Sequence, residues 1–343
     1  MEIKTPYLLF VGSEGSQAYA KTALGLLQWR PESCAGQLRL SDDAVDLGLE
    51  NLTPSEAANR GVGTLVIGIA SVGGGLDPSW MPVLRQALAA GLDLAGGLHT
   101  RLNDHPELVQ LASAHGRMLH DVRTPPESLP VGTGRGRSGR RLLTVGTDCS
   151  VGKKYTALSI WRELLARGAN ADFRASGQTG VLIAGQGIPI DAVVGDFTSG
   201  AAELLSPDHE RDHWDVIEGQ GSLFHPGYAA VSLGLLHGSQ PDAIVLCSDP
   251  SRTSIGSNPD YPVPGLNACI EHNLACGRLT SPDIRCIGVS MNTSGFSDRE
   301  RDQVLRLASE ETGLPCVDPL NGGVGPLVDQ LEIEFGSFLR CVS

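Results

Sequence analysis

The sequence predicts an α/β protein of two domains, each built on a doubly wound, mostly parallel sheet with helices on both faces. Three observations predict it. Short apolar runs alternate with segments of helical period along the whole chain. A Pro- and Gly-rich stretch with no apolar period, 123–139 (RTPPESLPVGTGRGRSG), interrupts that alternation once. The length, 343 residues, suits two domains of roughly 100–200 residues each. The reading therefore places a first domain over 1–125, a linker over 126–139 and a second domain over 140–343.

In the first domain Tyr7–Val11 reads as a buried strand and Gln17–Trp29 as a helix. Thr64–Ile69 is a second strand, followed by the glycine run 73–75. Trp80–Ala90 is a helix, with Pro82 tolerated in its first turn. Asp93–Leu98 and Met118–Val122 are further strands. This alternation is Rossmann-like. The second domain restarts it with strands at Leu142–Val145, Ala171–Ala175, Trp214–Ile217, Ala243–Cys247 and Ile284–Val289. Helices are expected at Lys153–Arg167, Phe197–Leu205, Gly227–Leu236, Leu266–Cys276 and Asp298–Glu310. Asp196 is a plausible N-cap for the second of these. The Pro-rich segment 248–264 reads as a long loop, a lid or a plain connection.

The net charge of −13 repels nucleic acid and anionic lipid, so neither is an expected partner. The local exception is Arg135, Arg137, Arg140 and Arg141, read as a flexible basic linker or as a clamp for an anion. The eight cysteines form no C-x-x-C pair and no zinc spacing, so no metal site is expected from them. No basic-then-apolar leader is visible in Met1–Phe10, and no run approaches ~18 apolar residues. Free thiols without an export signal point to the cytoplasm. A homodimer is the base-rate expectation.

The most informative motif is Gly146-Thr147-Asp148-Cys149-Ser150-Val151-Gly152-Lys153-Lys154. It follows a strand and opens a helix, which is the context a phosphate loop requires. Successive backbone N–H groups and the helix N-terminus form a concavity for an anion, and Lys153 adds a point charge. Thr147 stands where the standard pattern has its first Gly. Lys154 stands where Ser or Thr would hold Mg²⁺, and an ammonium cannot ligate a metal. Thr156 lies too far along the helix to take that place. The loop therefore suits polyphosphate binding better than metal-dependent phosphoryl transfer. Cys149 is read as a small residue giving its backbone N–H.

A second group of polar residues follows the other strands. Glu218 sits at a strand tip ahead of a glycine turn and is a candidate general base; His225 is a rival. Arg174, Ser176, Gln178 and Thr179 offer a guanidinium, two hydroxyls and an amide suited to a carboxylate ligand. Asp191 and Asp196 frame a helix start, one of them a cap and the other functional.

The runs GTDCSVGKK, RASGQTG, WDVIEGQGSLFHPG and PDAIVLCSDPSRT, with AKTALGLLQWRPE near the N-terminus, resemble the DgcN-type D-glutamate N-acetyltransferase family. The resemblance spans most of the chain. It implies a Rossmann-like N-terminal domain and a P-loop NTPase-like C-terminal domain. It implies acetyl transfer from acetyl-CoA to the amine of D-glutamate, or of D-glutamine, in D-amino-acid catabolism. Residues 146–154 would then hold CoA phosphates. Arg174, Ser176, Gln178, Thr179 and Ser222 would hold the acidic amino acid, and Glu218, His225 or Asp196 would take its ammonium proton. More distantly, Gly146–Lys153 and Glu218-Gly219 resemble dethiobiotin synthetase, which implies a Mg-ATP-dependent ligase or kinase as the alternative; Lys154 departs from that pattern.

Overall fold

The protein is described by a computed structural model covering residues 3–17, 19–69 and 75–337. Two residues of the glycine run, 73 and 74, and Cys341 lie outside the described residues. The chain divides into two compact units: Met1–Pro125 with Gln178–Pro189, and Pro126–Gly177 with Ile190–Ser343.

The first unit contains β1 (Tyr7–Gly12), α1 (Lys21–Trp29), β2 (Cys34–Arg39), α2 (Pro54–Asn59), β3 (Thr64–Ile67), α3 (Met81–Ala90), β4 (Asp93–Gly96), α4 (Pro106–His115) and β5 (Leu119–Asp121). Its sheet runs β2-β1-β3-β4-β5, every pair parallel. The central strands read YLLFVG and TLVI and are buried throughout, as strands covered on both faces must be. Leu8, Phe10, Leu65 and Ile67 of these strands join Leu84, Leu88 and Leu108 from α3 and α4 in one core. Local chemistry sets the helix ends. Thr53 and Glu56 form a capping box at α2, and α3 stops at Gly91, whose φ of 98° lies in the left-handed region.

The second unit contains β6 (Arg140–Gly146), α5 (Lys153–Ala166), β7 (Asn170–Arg174), α7 (Thr198–Leu205), β8 (His213–Ile217), α8 (Ala229–Ser239), β9 (Ala243–Ser248), α9 (Leu266–Gly277), β10 (Arg285–Met291), α10 (Asp298–Thr312), β11 (Cys316–Val317) and α11 (Gly325–Phe335); α6 (Gln178–Ala184) belongs to the first unit. Its sheet order is β11-β10-β9-β6-β8-β7, again all parallel. Strand β6 lies between β8 and β9, so the loop that leaves its carboxyl end opens at the point where the chain switches direction across the sheet. No described helix is long and apolar enough to cross a membrane.

Three expectations change. Helix α6 packs its buried Val181, Leu182 and Ile183 in the first unit, where Thr22 and Thr179 share a hydroxyl hydrogen bond of 3.1 Å and Arg30 donates to the Ile183 carbonyl at 2.8 Å. The arginines read as a flexible linker or anion clamp are engaged by the fold. Arg137 donates to the carbonyls of Glu203 (2.8 Å), Gly238 (2.6 Å) and Ser239 (3.0 Å), the otherwise unpaired ends of α7 and α8. Arg141 is buried and donates to the carbonyls of Arg137, Ser138 and Gln240. Arg135 pairs with Asp208 at 2.6 Å, and Arg140 lies 4.9 Å over the Phe335 ring. Asp196 does not cap α7: Phe197 holds the cap position, and Asp196 sits exposed in the preceding 3-10 turn.

Candidate functional site

The loop between β6 and α5 is tied down from three sides before it offers anything to a ligand. The Thr147 N–H donates to the Cys247 carbonyl at 3.0 Å, and its carbonyl accepts from the buried Ser222 hydroxyl at 3.0 Å. Ser222 therefore shapes the loop rather than facing a substrate. The Asp148 carboxylate is buried and accepts from the N–H groups of Cys149 (2.6 Å) and Gly256 (3.0 Å) and from Arg252 (2.7 Å). Burial pushes that carboxyl up, but these donors outweigh it and hold it below its ordinary range. Arg252 also donates to the Cys149 carbonyl at 2.8 Å and the Ser150 carbonyl at 3.2 Å. Asp148 is thus an anchor, not an anion contact; a carboxylate aimed at a phosphate would repel it.

What remains for an anion is the turn itself. Ser150 (φ 55°) and Gly152 (φ 100°) adopt left-handed backbone, which turns successive N–H groups to one side ahead of α5. Lys153 is buried, and its ammonium donates to the Asp148 carbonyl at 2.7 Å; burial lowers its pKa. Thr156, bonded to the Gly152 carbonyl at 3.1 Å and to Ser290 at 2.7 Å, is not turned to a metal position. The Cys149 thiol is pushed up by burial against the opposing charge of Lys153, so it is not acidified.

Beside this turn lies Glu218, at the carboxyl end of β8 and 4% exposed. One carboxylate oxygen accepts from the N–H groups of Ser176 and Gly177, both at 3.1 Å. The Ser176 hydroxyl donates to the Glu218 carbonyl and accepts from Gln220 at 3.0 Å. Burial raises the Glu218 pKa to about 7; the charge of Lys154 and the two N–H donors oppose this, and Asp191 adds to it. Closeness to the loop is enforced at Gly219, which a methyl group would drive into the Thr144 carbonyl and to 3.1 Å from Lys153 Cδ. A carboxyl with its midpoint near neutrality, at a strand end beside a phosphate loop, is poised to exchange protons.

The other sequence candidates separate. His225 lies near the loop, with its ring within 4.8 Å of ligand atoms of Asp148 and Cys149. Its Nδ1 accepts the Gly227 N–H at 3.0 Å, which leaves the proton of the neutral ring on Nε2. That side of the ring donates, whereas Glu218 presents an acceptor carboxylate beside the loop. Arg174 is engaged by Asp215 (2.6 Å), Asp172 (3.0 Å) and His209 (2.6 Å), a cluster whose negative charge it offsets in part. The same Asp172, His209, His213 and Asp215 stand close enough together to hold a metal ion, and Arg174 is bonded to three of them. Gln178 and Thr179 lie in α6 of the first unit. Of the four residues expected to bind a carboxylate, Arg174 and Ser176 lie in the second unit, and Ser176 is the one bonded to Glu218.

Arg252 and Gln220 were not singled out as site residues from sequence. The signal for Arg252 was the run SDPSRT at the carboxyl end of β9. Arg252→Ala leaves the buried Asp148 carboxylate with two N–H donors and no cation bonded to it. We expect a loss of about 1–2 kcal/mol of stability and weaker binding of anionic substrate, read by chemical denaturation and by KM.

Fold and site together define a two-domain α/β protein with a Rossmann-like first domain and a P-loop second domain. The chain belongs to the DUF1611 family: the family's P-loop domain, described as of unknown function, matches residues 130–328, and its Rossmann-like N-terminal domain matches 33–125. A protein of Tritonibacter scottomollicae named D-glutamate N-acetyltransferase is 48% identical over 329 residues, 96% of this chain and 99% of that one. One of the same name from Pseudoalteromonas sp. is 46% identical over 331 residues, 96% and 100% of the two chains. The crystal structure of a DUF1611 family protein from Anabaena variabilis superposes with a TM-score of 0.86 at 32% identity, covering 96% of this chain and all of that one.

Proposed function

We propose that the chain is an N-acetyltransferase moving the acetyl group of acetyl-CoA to the amine of D-glutamate, with D-glutamine as a second acceptor, in D-amino-acid catabolism. Likeness to two relatives of that name over nearly their full length supports the reaction. The observation that carries the mechanism is Glu218, buried beside the loop with its pKa raised to about 7. An amino acid's ammonium cannot attack a thioester; its neutral amine can. Glu218 takes one ammonium proton, the amine forms the C–N bond, and the C–S bond breaks. A second nitrogen proton goes to the departing CoA thiolate, and the third stays on the amide. The loop N–H groups with Lys153 and Lys154 provide the anion cradle, and Ser176 and Gln220 position the base. The test is release of CoA thiol that depends on D-glutamate and matches N-acetyl product one for one. No thiol release with any D-amino acid overturns the proposal. We propose a homodimer as the assembly, the commonest form of soluble oligomer.

The sequence reading gives the cradle to CoA phosphates. One observation favours another occupant. Glu218 adjoins the loop, whereas a thioester lies a pantetheine arm away from the pyrophosphate, on the order of 14 Å at ~3.5 Å per three-bond repeat of extended chain. With CoA phosphates on the loop the arm must fold back over the Glu218 pocket; a carboxylate of the acceptor reaches both places without folding. Inhibition by pyrophosphate separates the two. Competition with acetyl-CoA, and a raised KM for acetyl-CoA in Lys154→Gln, is the outcome for CoA phosphates. Competition with D-glutamate gives the cradle to the acceptor.

A further inference from the structure

Strand β7 is an edge of the second unit's sheet and pairs with β8, with Asp172 opposite Asp215 and Asn170 opposite His213. Residues two apart on a strand share a face, as do residues opposite each other on a parallel neighbour. Asp172, Arg174, His213 and Asp215 therefore stand on one face. The segment after α7 adds His209, whose ring stacks on that of His213 with centres 4.0 Å apart. All five residues belong to the second unit. The floor of the cluster is buried: the side chains of Asp215 and His213 are 1% and 6% exposed. Its mouth is open, with Asp172 exposed and His209 half-buried.

A buried carboxylate requires a cation. Arg174 supplies one, yet two carboxylates against one guanidinium leave a net negative charge when both rings are neutral. A guanidinium only donates, so its 2.6 Å bond to His209 shows that Nε2 there turns a lone pair into the cluster. The spacing of the four atoms fits a smaller cation. Four ligands at about 2.1 Å around zinc stand roughly 3.4 Å from one another. His213 Nε2 lies 3.2 Å from Asp215 Oδ1 and 3.7 Å from Asp172 Oδ2, and His209 Nε2 lies 3.8 Å from Asp215 Oδ1. All four atoms fall within 4.8 Å of one another. Two imidazoles with two carboxylates suit Zn²⁺, whereas Mg²⁺ and Ca²⁺ take oxygen ligands. Four protein ligands also close the coordination shell, the mark of a structural zinc.

We propose that Asp172, His209, His213 and Asp215 form a structural Zn²⁺ site, and that the metal displaces the Arg174 guanidinium through the open side at Asp172. The bound ion fastens the edge strand β7 and the segment after α7 to β8. This does not depend on acetyl transfer. The test is titration of the chelator-treated full chain with Zn²⁺ against a chromophoric chelator, with Mg²⁺ and Ca²⁺ alongside, and the absorption spectrum of the Co²⁺-loaded protein. One Zn²⁺ per chain is expected, with no uptake of the other two, a Tm that rises with zinc, and tetrahedral cobalt bands free of thiolate charge transfer. His213→Gln and Asp215→Asn should each weaken zinc by about 100-fold or more, at least what losing an outer partner of a ligand can cost. Both changes also remove a buried partner, so a variant of opposite sign is needed. Arg174→Gln takes away the competing charge-assisted bonds and should tighten zinc about tenfold, a gain that loss of folding cannot produce. No stoichiometric zinc, a site lost in Cys149→Ser but kept in His213→Gln, or no tighter binding in Arg174→Gln would each overturn the proposal.

Discussion

Glu218→Gln should abolish most acetyl transfer, by about 10²–10⁴ in kcat, while making the protein more stable at alkaline pH. The carboxamide keeps an oxygen for the Ser176 and Gly177 N–H groups, so the pocket stays formed. What it cannot do is accept a proton from the ammonium. The stability effect follows from the same burial. The Glu218 pKa rises from 4.5 to about 7 on folding, so the native state binds its proton more tightly than the unfolded chain. The stabilisation this gives is fully present below pH 4.5 and is lost as pH rises to about 7. Above that the native state holds an ionised carboxylate in a buried pocket, a cost of up to about 3 kcal/mol. Glutamine carries no such cost. Denaturation midpoints of the two proteins should differ at pH 8 in favour of the variant and converge near pH 4.5. Equal stability at both pH values would mean that the pocket does not desolvate the acid.

Gly219→Ala should be the most damaging single methyl group in the site. It would overlap the Thr144 carbonyl oxygen and approach the carbonyl carbon to 2.8 Å. Both neighbours are backbone, so neither can swing away. The Gly219 N–H also donates to the Thr144 hydroxyl at 2.9 Å, which fixes the turn against β6. Relief requires β8 to part from β6 just where one delivers Glu218 and the other the loop. Overpacking of this kind costs about 3 kcal/mol, a fall in Tm of roughly 6–12 °C, and should carry activity with it. Differential scanning calorimetry and initial rates check both. A variant with wild-type Tm and rate would show that the turn is looser than the geometry implies.

Much of this was legible in the sequence where one physical signal dominated. Strands covered on both faces read as unbroken apolar runs, so β9, expected over Ala243–Cys247, is observed as Ala243–Ser248. The phosphate loop was legible because glycine, lysine and a strand-to-helix switch must occur together. Glu218 was legible as an acid at a strand tip. The edge strand β2 (CAGQLR) was missed: its small and polar residues carry no continuous apolar run, and its buried Gln37 is satisfied by hydrogen bonds to Asp46 and Leu49, nine and twelve residues away. Helix α6 carries no clear helical signal at its start, Gln-Thr-Gly, and nothing in VLIA says which unit's core it joins. Arg174 has the chemistry of a carboxylate clamp; only the fold brings it to Asp215, 41 residues on, and spends its charge there. The raised pKa of Glu218 likewise depends on burial by segments far apart in the chain, and no local pattern reports it.

The most direct measurement is the rate of N-acetyl-D-glutamate formation from acetyl-CoA, followed by mass from pH 5.5 to 9 at saturating substrates. A base buried beside the loop predicts a rate that climbs tenfold per pH unit on the acid side and levels off above about 7. A rate independent of pH across that interval, or no acetylated product at any pH, would contradict it.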